Sequence, residues 1–135
     1  TKSLDLENQV QFKGKIPQNK VFEKIQDNDA SIIPHYKSIQ NNCSSPNKLY
    51  QYLSAGRVVI ASDCDSVRRI IEKNEVGKTY EDKNALDLAE VLESLILNPE
   101  KRLEYGRRGY NLVNEKFNTL IEGEKLITFY KTITK

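Results

Sequence analysis

Ser45, Asn47, Lys48 and Gln51 fall within the run Ser45-Pro-Asn-Lys-Leu-Tyr-Gln51. Ser45 suits a helix N-cap, Pro46 the first helical position, and Gly56 a left-handed stop. Leu49 and Leu53 lie one turn apart and face a core. Asn47, Lys48 and Gln51, spaced by three and four, therefore share the opposite side. A lysine in a first turn opposes the positive end of the helix dipole, at a cost of about 0.3–1 kcal/mol. A bound anion removes the conflict. Free backbone N–H groups around Ser45 to Lys48 point at it, the dipole favours it, and Lys48 adds a full charge. The plain alternative is that Lys48 is a solvated surface residue, and spacing alone does not separate the two.

The elements around this run alternate between strand and helix. Val10-Gln-Phe-Lys-Gly14 alternates apolar and polar residues and stops at a glycine, which predicts a short strand. Val21, Phe22 and Ile25 predict a short helix after Pro17. Ala30–Pro34 reads as a second strand, Pro46–Ala55 as a helix, and Val58–Ala61 as a third strand buried on both faces. Ser66 is expected to cap a helix carrying Val67, Ile70 and Ile71, followed by a strand over Val76–Tyr80. Three helices should follow. Their stripes are Leu86, Ala89, Leu92 and Ile96; then Leu103, Tyr110 and Val113; then Leu120, Leu126, Ile127, Tyr130 and Ile133, in a helix running to the C-terminus. Alternation of this kind predicts an α/β fold, a parallel sheet with helices on both faces.

Composition agrees with one globular domain: 135 residues, 38% apolar, 30% charged, with six Gly and four Pro. A formal charge of +2 gives no argument for nucleic acid. Cys43 and Cys64, without any CxxC spacing, form neither a disulfide framework nor a metal site and read as reduced thiols. No apolar run approaches the ~20 residues of a membrane span, and no signal peptide is recognisable. The chain contains no Met and opens on the polar stretch Thr1–Gln9, so a domain cut from a longer protein is expected.

The run PNKLYQYLSAGRVVIAS resembles the donor-binding signature of GT-B glycosyltransferases of the retaining, family-4-like type (glycosyl transferases group 1). Those proteins show Pro-Asn-Lys-Leu-aromatic-Glu-Tyr, small residues, then Gly-Lys/Arg-Pro-Val-Ile-Ala-Ser. Upstream, VQFKGKIP is similar to the family's entry to the nucleotide base pocket. Downstream, the stretch from DSVRRIIEKNEVGKTYED to EYGRRGYNLVNEKFN matches the family's closing pattern, so the likeness covers nearly the whole chain.

The resemblance implies a Rossmann-like parallel sheet, the C-terminal half of a GT-B fold and incomplete, with residues 1–135 forming one partial nucleotide-sugar-binding domain and C-terminal helices over 100–135. It implies a donor site in which amides of Ser45 and Asn47 hold a diphosphate beside Lys48. Gln51 stands where the family has a ribose-binding Glu, Gly14 and Ile16 line the base, and Pro34 and His35 approach the sugar. The implied donor is a UDP- or GDP-sugar as substrate, with no cofactor and no metal, and no catalytic base is expected from this part. The acceptor, a glycan or lipid-linked saccharide, would be bound by an N-terminal domain that the chain lacks. The implied location is cytoplasmic and bacterial, with peripheral contact at the cytoplasmic membrane face through Lys101, Arg102, Arg107 and Arg108. Glu100 and Glu104 interleave with these residues, as on an ordinary charged helix. Isolated, the fragment is expected to be inactive.

Three positions depart from the family's pattern: Val58 stands where the family has Pro, with no functional consequence expected, and Gln51 and Cys43 stand where it has Glu. Gln51 replaces a charge-assisted interaction with a neutral one, and Cys43, eight residues earlier, stands at the position of another Glu. These replacements favour an alternative, a non-catalytic nucleotide-binding or interaction module derived from the same fold. The family's donor domain has six strands ordered 3-2-1-4-5-6, and this chain begins just before the third. The Val10 strand is therefore expected to pair elsewhere, by rearrangement within the monomer or across a homodimer. The C-terminal helix, which crosses to the other domain in GT-B enzymes, is expected to leave apolar surface exposed.

Other candidates carry less. His35 is the lone histidine, on a loop. Arg68 and Arg69 either face the cleft or decorate a solvated helix. A receiver-like signalling domain would need acidic residues at the ends of the early strands, and the Val10 and Ala30 strands offer none.

Overall fold

A computed structural model of the chain describes residues 4–134; residues 1–3 and 135, which include the start of the polar opening stretch and the end of the last predicted helix, lie outside them. Three strands, β1 (Ala30–Ile33), β2 (Val58–Ser62) and β3 (Gly77–Tyr80), form a parallel sheet in the order β1-β2-β3. Ala30 pairs with Val58 and Val59 with Gly77. Every residue of β2 is buried, as its continuous apolar run demands of a central strand covered on both sides. Its side chains divide by the two-residue period. Val59 and Ala61 join Ile33, Leu49, Leu53, Val67 and Ile71 on one face, while Val58 and Ile60 join Tyr80, Leu95 and Tyr105 on the other.

The helices are α1 (Gln18–Gln26), α2 (Ile39–Cys43), α3 (Asn47–Ser54), α4 (Asp65–Asn74), α5 (Ala85–Ile96), α6 (Pro99–Lys116) and α7 (Thr119–Ile133). α3 and α4 bury Leu49, Leu53, Val67 and Ile71 against the first face, each side chain contributing roughly 1.5–3 kcal/mol of burial. α5 covers the second face, and α6 supplies Leu112 to one cluster and Tyr105 to the other.

The end of α3 explains how the sheet is re-entered. Gly56 adopts φ +68° after the C-cap Ala55; its N–H reaches the Leu53 carbonyl at 2.9 Å and the Arg57 N–H reaches Tyr52 at 3.1 Å. That is a Schellman closure, and it hands the chain directly to β2.

Several expectations need correction. Residues 10–14 form no strand: Val10 is 40% and Phe12 85% exposed, and the Val10 N–H bonds back to Leu6 in a local turn. The pattern alternates, but no strand among the described residues pairs with it, so the intramolecular rearrangement does not occur there. Ser66 does not cap α4. Cys64 holds the cap position, and the Ser66 hydroxyl donates to the Asn41 carbonyl at 3.0 Å. In α5 the inward stripe is Leu88, Val91, Leu92 and Leu95, whereas Leu86 and Ile96 face outward. In α6 Leu103 and Tyr110 are exposed, and Tyr105, Gly106, Gly109 and Leu112 are buried. The short helix α2 was not expected at all. α7 buries no residue, as expected of its apolar stripe.

Candidate functional site

α3 starts one residue later than its sequence suggests. Pro46 is the N-cap and has no side-chain capping bond, and no acidic residue occupies the first turn. The Ser45 hydroxyl, instead of capping, pairs with the Tyr50 hydroxyl at 2.7 Å. Pro46 accepts from the Leu49 N–H at 3.0 Å. The first-turn N–H groups of Asn47 and Lys48 precede any intrahelical acceptor and point out of the helix end. Asn47, Lys48 and Gln51 are all exposed there. The arrangement has the elements of an anion site: unsatisfied donors, the positive dipole end, and a cation.

The other predicted residues fall in two places. Ile16 lines a cleft of about 340 Å³ together with Val21, Ala30 and Tyr52. Tyr52 follows Gln51 on α3, so the segment before α1 is brought beside that helix. Gly14, at φ +66° and exposed, has open space where a side chain would stand. His35 follows β1 at the carboxyl edge of the sheet. Its carbonyl is held by the Ser62 hydroxyl at 2.5 Å and by the Cys64 thiol at 3.6 Å. Those bonds fix the backbone of the β1 exit; the imidazole itself makes no hydrogen bond among the described residues.

A polar knot at the same edge escaped the sequence reading. The Lys37 ammonium meets the Asp63 carboxylate at 2.6 Å. The Lys37 N–H donates to Asp82, and the Asp82 N–H donates to Asp63, each at 3.0 Å. The exits of β1, β2 and β3 are thereby tied together, where open α/β sheets bind ligands. Partial burial pushes the Asp63 carboxyl up, but the bonds from Lys37 and the Asp82 N–H outweigh it and hold the group below its ordinary value. The Lys37 ammonium is pushed up by the hydrogen bond to Asp63. The signal in the sequence was an aspartate directly after β2, in Ser62-Asp63, and another just beyond β3, in Tyr80-Glu81-Asp82. Among the described residues no group of three His, Cys, Asp or Glu side chains stands close enough to hold a metal ion. No helix there is long and apolar enough to cross a membrane.

Known proteins share both the sequence pattern and the fold. The family described as glycosyl transferases group 1 matches residues 1–112. A phosphatidyl-myo-inositol mannosyltransferase from Mycobacterium leprae is 28% identical over 85 residues, which is 63% of this chain and 22% of that protein. The solved structure of sucrose-phosphate synthase from Thermosynechococcus elongatus superposes with a TM-score of 0.85 at 18% identity, over 98% of this chain and 32% of the other. At that identity the likeness is one of fold, and it covers the α/β sheet and helices described above. The chain thus spans about a fifth of the curated relative and a third of the structural one. The family pattern runs from before α1 well into α6 and includes the α3 signature, and so the chain belongs to the glycosyl transferases group 1 family.

Proposed function

We propose that this chain is the nucleotide-sugar-binding part of a glycosyltransferase that moves a sugar from a UDP- or GDP-linked donor to a saccharide or lipid-linked acceptor. The observation that carries the reading is the start of α3, uncapped by any side chain, free of acidic residues, and bearing exposed Lys48. A departing nucleoside diphosphate gains negative charge as the glycosidic bond breaks, and donors fixed at a helix N-terminus stabilise it without reorganising. Asn47 and Lys48 meet the diphosphate, Gln51 the ribose, and the segment holding Gly14 and Ile16 the base. His35, held at the exit of β1, stands toward the sugar. The acceptor is bound by another part of the whole enzyme, which acts in the cytoplasm at the membrane face, and this part alone turns over no substrate.

A second reading is favoured by Gln51 and Cys43, which replace carboxylates of the family pattern: the module binds nucleotide without catalysis. Calorimetry with UDP and GDP tests the shared part of both. Saturable binding that disappears in a Lys48→Ala, Gln51→Ala double variant supports the donor site and identifies the base. Binding that survives the double variant removes the α3 reading. Sugar transfer by the full-length protein then separates enzyme from binding module.

A further inference from the structure

We propose that the chain carries a second anion site, distinct from the start of α3, which takes a phosphate-bearing ligand with an apolar or planar part. A cleft of about 490 Å³ opens between the α2–α3 turn, the outer side of α4 and the junction of α6 with α7. That volume is within the range of small-molecule pockets. Its wall carries Arg69, Lys73 and Lys116 and no carboxylate. None of the three forms an ion pair among the described residues, although the basic residues on either flank do: Arg68 pairs with Asp65 and Arg108 with Glu104. The nearby Glu72 is turned toward β3, where its carboxylate accepts from the Thr79 hydroxyl at 3.0 Å.

Positive charge is thus gathered on one concave surface of a chain whose formal net charge is only +2. Lys73 and Lys116 each lie in the last turn of a helix, where the dipole tolerates them. Arg69, in mid-helix, has no such reason. A phosphate accepts from guanidinium and ammonium groups alike, so the charged wall of this cleft suits one. Beside them Tyr50 and Phe117 meet edge to face, 5.4 Å between centroids, and provide an apolar wall. The same two rings line a neighbouring groove of about 510 Å³ at the base of α7, so the apolar part of a ligand has room to continue.

Asn47, Lys48 and Gln51 do not line this cleft. Tyr50 turns to the cleft side of α3, and Cys43 and Ser45 border both regions. The ligand is therefore additional to a donor held at the start of α3, and the inference does not depend on that donor.

The test uses amide NMR spectra of the whole chain with two probes, inorganic pyrophosphate and phosphatidylcholine vesicles with and without phosphatidic acid. Pyrophosphate is expected to shift the amides of Ser66 to Lys73 and of Phe117, with affinity falling as salt rises. An Arg69→Gln, Lys73→Gln, Lys116→Gln variant should bind about tenfold more weakly or worse, while Lys48→Ala leaves these shifts unchanged. The replaced residues are on the surface, and an unchanged urea midpoint verifies the fold; the single Arg69→Gln variant gives an independent reading. Binding only to vesicles containing phosphatidic acid, lost in the triple variant, assigns the phosphate to a lipid headgroup and also supports the site. Shifts that vanish in Lys48→Ala and persist in the triple variant overturn it, as does the absence of binding to both probes.

Discussion

Gly106 on α6 lies against the carbonyl of Gly56: a Cβ at Gly106 would stand 2.1 Å from the Gly56 oxygen. The contact sets α6 against the turn that closes α3, and a Cβ at Gly109, one turn on, would stand 2.7 Å from the Leu53 Cδ2. The helix that supports the candidate site is therefore located by backbone meeting backbone. A side chain cannot be inserted without separating the two.

Gly106→Ala is accordingly expected to lower stability by about 1–3 kcal/mol, the usual range for overpacking, and more if α6 is displaced. Gly123→Ala in α7 is the control. A methyl there meets nothing within 4 Å, and the change should stabilise α7 by up to about 1 kcal/mol. Urea unfolding of both variants reads the difference, and equal midpoints would contradict the account.

Asn118 joins two helices through one side chain. Its carbonyl oxygen accepts from the Leu120 and Ile121 N–H groups, both at 3.1 Å, while its amide donates to Val113 and Asn114 at the end of α6. Asn118→Ala should cost roughly 1 kcal/mol locally, as the loss of an N-cap does. Hydrogen exchange is expected to quicken at Leu120 and Ile121 and to stay unchanged in β2.

The pH response follows from Asp63. Its folded carboxyl titrates below the ordinary 3.8. The ionised, Lys37-bonded form therefore contributes stability above that value, and the contribution is lost as pH falls through the lower folded value. The Asp63→Asn variant should show a flatter loss of stability in that acid window than the natural chain. Parallel acid limbs in urea titrations would show that the polar knot is energetically silent.

At the proposed donor site the informative change is Gln51→Glu. Restoring the carboxylate of the family pattern replaces neutral hydrogen bonds with charge-assisted ones, roughly twice as strong. UDP or GDP should bind several-fold more tightly, with the gain abolished for nucleotides lacking ribose hydroxyls. An unchanged affinity would place the ribose away from Gln51.

The parts of the fold read correctly from sequence are those where chemistry and burial coincide. β2 was legible because Val58–Ala61 has no polar face to misassign, and the end of α3 because Gly56 occupies a left-handed position. The phases of α5 and α6 were not. α5 is apolar nearly all round, so contact with β3 and not its periodicity selects Leu88, Val91, Leu92 and Leu95. In α6 the closest contacts are made by Gly106 and Gly109, which have no side chain for a hydrophobic pattern to register. Residues 10–14 misled in the opposite way, since alternation marks a strand only where another strand is present to pair with it. The α3 residues share a face by their spacing and take their roles from the resemblance, whereas the knot of Lys37, Asp63 and Asp82 joins residues up to 45 apart that no local pattern connects.

α7 contributes no side chain to either buried cluster, yet Leu120, Leu126, Phe129 and Tyr130 are each more than half exposed. The helix consequently presents apolar surface to solvent while adding no fully buried side chain to the sheet and its covering helices. Its residues are free to be chosen for whatever they touch outside this body, and polar replacements along it should leave the unfolding midpoint alone while raising the concentration at which the chain stays dispersed.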